Sequence, residues 1–141
     1  MFNTKRATSL LNPDWPEVKW NISGLFHNRV FVRIFIAVME KENISHVIDS
    51  FQGCSDLIWN GGHANANVPN YPDSAEFFKK QLNDLGIGVF LTFSNTALEK
   101  KHLSDPDSNR LLECLDEACG LNGVIVASDL MSNYPCSCIK K

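Results

Sequence analysis

A short apolar run that ends in small polar residues, followed by a helical stretch, recurs along this chain and limits the folds it can adopt. The runs lie at residues 56–62, 88–95 and 123–129, with an earlier candidate at 18–24. Strands that alternate with helices form a parallel sheet, and such sheets bind ligands at the carboxyl ends of their strands. The sequence therefore predicts an α/β fold with parallel strands.

The runs share two further properties. Their spacing is close to roughly 30 residues, the length of one strand–helix unit. Each run also reads as apolar on both faces, which is typical of strands that are covered on both sides. This pattern argues against an antiparallel sheet with one hydrated face.

The first predicted helix spans residues 28–42. Its large apolar residues recur at helical spacing, which predicts a broad buried face. That face comprises Val30, Phe31, Ile34, Phe35, Val38 and Met39. Residues 45–51 are compatible with either a short strand or a turn of helix, and the sequence leaves this choice open.

The second and third predicted helices carry start and stop signals. Asp73 and Glu76 are spaced as a capping box, and Gly86 follows as a stop. Asp105 is the predicted cap of the third helix, where Pro106 takes the first helical position. The buried stripes are Phe78, Leu82 and Leu85 in one helix and Leu111, Leu112, Leu115 and Ala118 in the other, which stops at Gly120.

Composition limits the classes of function. The chain of 141 residues is expected to form a single α/β domain, with an N-terminal extension at 1–17, βα units at 18–130 and a C-terminal tail at 131–141. Its net charge of −3, without a basic stripe, argues against nucleic acid as a partner. With neither a signal-peptide core nor an apolar run of membrane-spanning length, the sequence predicts a cytoplasmic protein that does not enter a membrane.

The cysteines predict thiols and no bound metal. Their number, five, is odd, and an export signal is absent, which argues against a disulfide framework. Cys114 and Cys119 suit a packed helix face, whereas Cys136 and Cys138 are too close together for a standard zinc knuckle. Neither a metal nor a cofactor is predicted.

Three segments carry a resemblance to a known family. Residues 56–62 (DLIWNGG), 85–95 (LGIGVFLTFSN) and 121–129 (LNGVIVASD) are similar to successive early strands of the collagenase-like peptidase superfamily. The resemblance covers about residues 53–130 and implies the N-terminal half of a (β/α)8 barrel. It also implies that Asn60-Gly61-Gly62, Thr92 with Asn95, and Asp129 line the barrel mouth.

Two departures from that family limit what can be carried over. A complete barrel needs about 250 residues, so this chain amounts to roughly half of one. Cys136 and Cys138 also do not match the spacing of the family's cysteine cluster, so protease activity does not transfer. Half a barrel has open sheet edges, and two explanations stay open: a homodimer that pairs these edges, or a truncated version of a longer barrel.

The candidate ligand-binding residues follow the predicted strands. Paired glycines let backbone amides approach a ligand, and side chains at the carboxyl ends of parallel strands converge on one rim. The candidates are Asn60, Gly61, Gly62, His63, Asn65, Thr92, Ser94, Asn95, Ser128 and Asp129. Alternatively, these residues only shape tight turns and cap loops.

We therefore expect a barrel fragment that binds a small polar or peptide-like ligand at this rim, without an assigned catalytic residue. The first alternative is a non-enzymatic, doubly wound interaction module whose interface includes some of Phe26, Phe31, Phe35, Phe77 and Phe78. The second alternative is a small enzyme in which Asp129 acts as general base near His63. The sequence does not decide whether a reaction is catalysed.

Overall fold

Strands and α-helices alternate along the part of the chain that the computed structural model describes, namely residues 19–26, 29–61, 71–115 and 120–134. The strands are β1 (Trp20–Ser23), β2 (Ile48–Gly53), β3 (Gly88–Phe93) and β4 (Gly123–Val126). The α-helices are α1 (Arg29–Lys41), α2 (Tyr71–Gln81), α3 (Pro106–Leu112) and α4 (Asp129–Ser132). Short 3₁₀ segments lie at Ser45–Val47, Ile58–Asn60, Asn83–Leu85 and Lys100–Ser104.

The four strands form one sheet in the order β1-β2-β3-β4, and every neighbouring pair is parallel. Connections between parallel neighbours are almost always right-handed. A sequential order therefore directs all crossovers to the same side of the sheet. The predicted α/β fold with parallel strands is confirmed.

One face of the sheet, which we call the helix face, forms the core. Val89, Leu91 and Phe93 alternate along β3 and are 0–1% exposed, and Phe51 pairs with Val89 in the register of β2 and β3. The ring of Phe35 in α1 meets the ring of Phe51 edge-on, with their centroids 6.1 Å apart. Packing of the helices against this apolar face therefore supplies the main hydrophobic stabilisation.

The opposite face, which we call the second face, is largely polar in β1 and β2. Asn21 Nδ2 donates a hydrogen bond to Ser50 Oγ (2.7 Å), and Gln52 Nε2 donates one to Ser23 Oγ (3.3 Å). Ile125 of β4 shares this face and is 41% exposed. The prediction that each apolar run is apolar on both faces is therefore wrong for β1, and β2, which was not among those runs, also has one polar face.

The early candidate strand at 18–24 is confirmed as β1, but the strand predicted at 56–62 is wrong. Residues Ile58–Asn60 form a 3₁₀ turn, and the strand that pairs with β3 is Ile48–Gly53. The cause is Trp59, which is fully buried between loops. Its ring lies 5.0 Å from that of Phe93, and its Nε1 donates to the His102 carbonyl oxygen (2.7 Å). The apolar run thus anchors a loop.

Helix α1 forms where it is predicted, but a different face is buried. Val32 and Ile36 are 1% and 5% exposed, and Phe35 and Met39 are partly buried against the core. The remaining members of the predicted stripe are 48–63% exposed: Val30, Phe31, Ile34 and Val38. Because apolar residues occur nearly all around this helix, periodicity alone did not identify the face that meets the sheet.

The other helices match their predictions in part. Asp105 Oδ2 accepts from the Ser108 backbone N–H (2.8 Å), so the predicted cap of α3 is confirmed. Helix α3 ends at Leu112, well before Gly120, although Leu115 is still buried. Ala118 and Cys119 lie outside the described residues.

Helix α2 begins before its predicted cap. It starts at Tyr71, which places Asp73 in the first turn, and the 3₁₀ segment after α2 ends at Gly86 with φ 75°. Of the predicted stripe, Phe78 and Leu82 are buried, whereas Leu85 is 41% exposed.

Substitution of Leu82 tests this assignment of the core. Leu82 is 0% exposed, so we expect Leu82→Ala to lower the free energy of unfolding by about 2–5 kcal/mol, through lost burial and the cavity that remains. Leu85→Ala is the matched control, and at an exposed position its effect is expected to stay within about 0.5 kcal/mol. Urea unfolding followed by tryptophan fluorescence measures both. Equal losses would contradict the assignment.

Candidate functional site

The carboxyl ends of β2, β3 and β4 are followed by the segments that hold most of the predicted site residues. Asn60 and Ser94 occupy neighbouring loops at this end, and Ser128 follows β4. The loops after β2 and β3 therefore meet at this end of the sheet. Gly62, His63 and Asn65 lie outside the described residues.

Asn60 is fully buried and serves the backbone. Its Nδ2 donates to the Ser55 carbonyl oxygen (2.6 Å), and its Oδ1 accepts from the Ser94 backbone N–H (3.4 Å). The hydroxyl of Ser94 in turn donates to the Asn60 carbonyl oxygen (3.4 Å). Buried amides that satisfy backbone groups in this way hold loops together, so the structure assigns Asn60 and Ser94 a structural role.

Asn95 continues this contact between the two loops. Its Nδ2 donates to the Ile58 carbonyl oxygen (2.8 Å), and its Oδ1 accepts from the Ala97 backbone N–H (2.9 Å), an Asx turn. A Cβ added at Gly61, which has φ 63°, would come within 3.3 Å of Asn95 Cγ. Gly61 and Asn95 therefore fit each other, which supports the turn-forming alternative for both residues.

Ser128 and Asp129 begin the short helix α4. Ser128 is 7% exposed, and its Oγ accepts from the Leu130 backbone N–H (3.2 Å), so it is an N-cap. Asp129 is exposed, and its carbonyl oxygen accepts from Ser132 Oγ and Asn133 Nδ2. The Ser128 hydroxyl therefore caps the helix, whereas these hydrogen bonds of Asp129 involve its backbone carbonyl and not its carboxylate.

Thr92 differs from the other candidates because it lines an open depression of about 510 Å³. The depression, which we call the rim depression, lies at the carboxyl ends of β1, β2 and β3. Its lining residues are Ser23, Gly24, Gln52, Gly53, Cys54 and Thr92. Side chains of the second face therefore contribute to it.

Most of this depression lies outside the predicted site. Ser23 lies in a predicted strand but is not a predicted site residue, and Gln52 and Cys54 lie outside every predicted strand. The signal in the sequence is the alternation in the two strands, where Asn21 and Ser23 in β1, and Ser50 and Gln52 in β2, occupy every second position. Such alternation marks a strand with one polar face.

The lining of the rim depression carries no charged side chain. Cys54 is its only thiol, and burial raises the pKa of that thiol above its usual value. A thiol whose pKa is raised stays protonated at neutral pH, whereas nucleophilic cysteines need a lowered pKa. The depression can therefore donate and accept hydrogen bonds, but it has no activated nucleophile.

Within the described ranges, His, Cys, Asp and Glu side chains do not form any group of three or more that could hold a metal ion. The described cysteines, Cys54 and Cys114, are free thiols, and Cys114 is buried. In the same ranges, no helix is long and apolar enough to cross a membrane.

Comparison of the chain with protein-family models, curated proteins and solved structures gives no match.

Substitutions at two predicted site residues test their different roles. We expect Asn95→Ala to lower the free energy of unfolding by about 1 kcal/mol, because it removes two exposed hydrogen bonds that join the loops and that water replaces only in part. Asp129→Ala, at an exposed position, is expected to change it by no more than about 0.5 kcal/mol. Urea unfolding compares the variants. A neutral Asn95→Ala would restore Asn95 as a ligand-binding candidate.

Proposed function

We propose that this chain supplies one half of a barrel of parallel strands and binds a small, uncharged polar or peptide-like ligand in the rim depression. The observation that carries the proposal is the position of that depression at the carboxyl ends of three neighbouring parallel strands. Ligands of α/β proteins bind at this end of the strands. A reaction is not part of the proposal.

The chemistry of the lining favours a neutral ligand. Gln52 uses one amide hydrogen on Ser23 Oγ and has a second amide hydrogen and a carbonyl oxygen for other partners. Thr92 adds a hydroxyl group at the neighbouring strand. A peptide-like amide presents the complementary donor and acceptor. A charged ligand would lose its hydration without gaining a counter-charge in this lining.

Residues 56–62 do not form the strand that the resemblance to the collagenase-like peptidase superfamily implies, so only residues 85–95 and 121–129 still carry it. In that superfamily the position of Thr92 lines the barrel mouth, which supports a site at the carboxyl ends of the strands. The sequential strand order is what the first half of such a barrel requires. The doubly wound alternative has less support, since that architecture reverses its strand order. Of the residues that this alternative offered for an interface, Phe77 and Phe78 are 2% and 1% exposed, whereas Phe31 is 52% exposed.

Binding of N-acetylglycinamide, a neutral peptide analogue, tests the ligand proposal. In ¹H–¹⁵N NMR spectra of the full chain, we expect saturable shifts at Ser23, Gly24, Gln52 and Thr92. Thr92→Val is expected to weaken binding about three- to tenfold through loss of one hydrogen bond. Thr96→Val, at an exposed loop position, is the matched control. Absent or scattered shifts, or equal weakening by both variants, would contradict the proposal.

Pairing of two copies would complete such a barrel. Parallel sheets are normally covered on both faces, yet the second face holds the exposed Ile125. The outer strands β1 (WNIS) and β4 (GVIV) carry no charged residue, so β4 of each copy can meet β1 of the other without repulsion. Eight strands leave an interior that side chains can fill.

The solution mass from light scattering tests this pairing. We expect a dimer of twice the 15.8 kDa chain. Ile125→Lys is expected to shift the mass toward the monomer, because it would place a charge inside the closed barrel. Leu121→Lys, equally exposed at 41% but outside the strands, is the control. A folded wild-type monomer, or a dimer that Ile125→Lys leaves intact, would overturn the pairing but not the ligand proposal.

A further inference from the structure

A second concavity, of about 280 Å³, lies between α1 and α2. Arg29 and Arg33 line it from α1, and Asp73, Glu76, Phe77 and Lys80 line it from α2. We call it the arginine pocket. Helix α1 packs on the helix face through Phe35, so the arginine pocket and the rim depression belong to opposite sides of the sheet.

Two guanidinium groups share one aromatic ring in this pocket. The Cζ atoms of Arg29 and Arg33 lie 5.5 and 5.6 Å from the centroid of the Phe77 ring. Phe77 is 2% exposed, so the ring is a fixed platform. Arg29 also donates to the buried Ser74 hydroxyl (2.5 Å), which holds its guanidinium in place. The position of the Arg29 charge is therefore set before any ligand arrives, and the exposed Arg33 lies over the same ring.

The two guanidinium charges of the pocket are not balanced by close ion pairs. Lys80 Nζ lies 2.8 Å from Glu76 Oε1, and these two charges offset each other. Within the described ranges, no carboxylate oxygen lies within 4.0 Å of the guanidinium groups of Arg29 or Arg33. Arg29 and Arg33 then contribute two positive charges and Asp73 contributes one negative charge, so the lining has a net charge of one positive unit.

The local electrostatics favour an added anion. Burial is the main cause of the lowered pKa of Arg29; the Asp73 carboxylate raises this pKa, and the neighbouring Arg33 lowers it by a smaller amount. Two cations in a partly dehydrated site repel each other, and an anion that contacts both relieves that repulsion. Guanidinium groups bind planar oxyanions through paired N–H donors.

We propose that the arginine pocket binds the carboxylate group of a small molecule. A single negative charge matches the net charge of the lining, and the volume lies just below the roughly 300–1,000 Å³ typical of drug-sized ligands. A phosphate dianion carries more charge than the lining offsets and would face Asp73. This site is independent of the rim depression, whose lining is uncharged.

Titration with sodium N-acetylglycine tests the proposal, with sodium chloride adjusted to keep the ionic strength constant. In NMR spectra of the full chain, we expect saturable shifts of the Arg33 side-chain N–H and the Phe77 amide. N-acetylglycinamide, which lacks the charge, is expected to leave these signals unchanged. A response to the amide at the rim depression alone would support both proposals separately.

Matched variants assign the binding to the pocket. Arg33 is exposed, so Arg33→Gln is expected to keep the fold and weaken binding of N-acetylglycine at least about tenfold. Arg33→Lys keeps the charge but loses the paired donors, and an intermediate effect is expected. Lys41→Gln removes the same charge from α1 outside the pocket and is expected to change binding little.

Three results would overturn the proposal. The first is the same shifts with sodium chloride alone, which would indicate charge screening. The second is equal weakening by Arg33→Gln and Lys41→Gln, which would indicate a long-range effect of net charge. The third is tighter binding of inorganic phosphate than of N-acetylglycine, which would assign the pocket to dianions. Thermal melts of each variant check that a loss of binding is not a loss of fold.

Discussion

Burial of the helix face of the parallel sheet is the interaction on which the rest of the structure depends. Phe51, Val89, Leu91 and Phe93 are 0–1% exposed on this face, and they form the spine of the hydrophobic core. Because the strands are parallel and sequential, every connection must cross on the same side. The helices therefore pack on one face, and the residues of the second face do not have to be apolar.

Trp59 extends this core to the carboxyl end of the sheet. Its ring meets Phe93 and Tyr134 edge-on, with centroid distances of 5.0 and 5.7 Å, which fixes the loop after β2 against the end of β3 and the segment after α4. Asn60 and Asn95 then satisfy backbone groups of these loops. Their amides are occupied by this task, so the rim can hold a ligand only where side chains remain uncommitted, as at Thr92.

The sequence predicted the fold class and the strands β1, β3 and β4, the last two because they are strongly apolar runs. It left residues 45–51 open between a strand and a turn of helix, because the second face of β2 carries Ser50 and Gln52, which weakens the apolar signal. The more apolar run around Trp59 resembles a strand more closely but forms a loop. The site was predicted less well, because a sequence does not show whether an asparagine amide faces a ligand or a backbone carbonyl, and only the paired loops decide this.

The two candidate sites lie on opposite sides of the sheet and differ in their polar groups. The rim depression offers neutral donors and acceptors such as Gln52 and Thr92, whereas the arginine pocket offers guanidinium groups on Phe77. The buried side chains of Val89 and Leu91 on the helix face are apolar. They therefore cannot form a chain of hydrogen bonds between the two sites. Coupling between the two sites would therefore require movement of packed core residues. Since close-packed cores resist such movement, we expect ligands of the two sites to bind independently of each other.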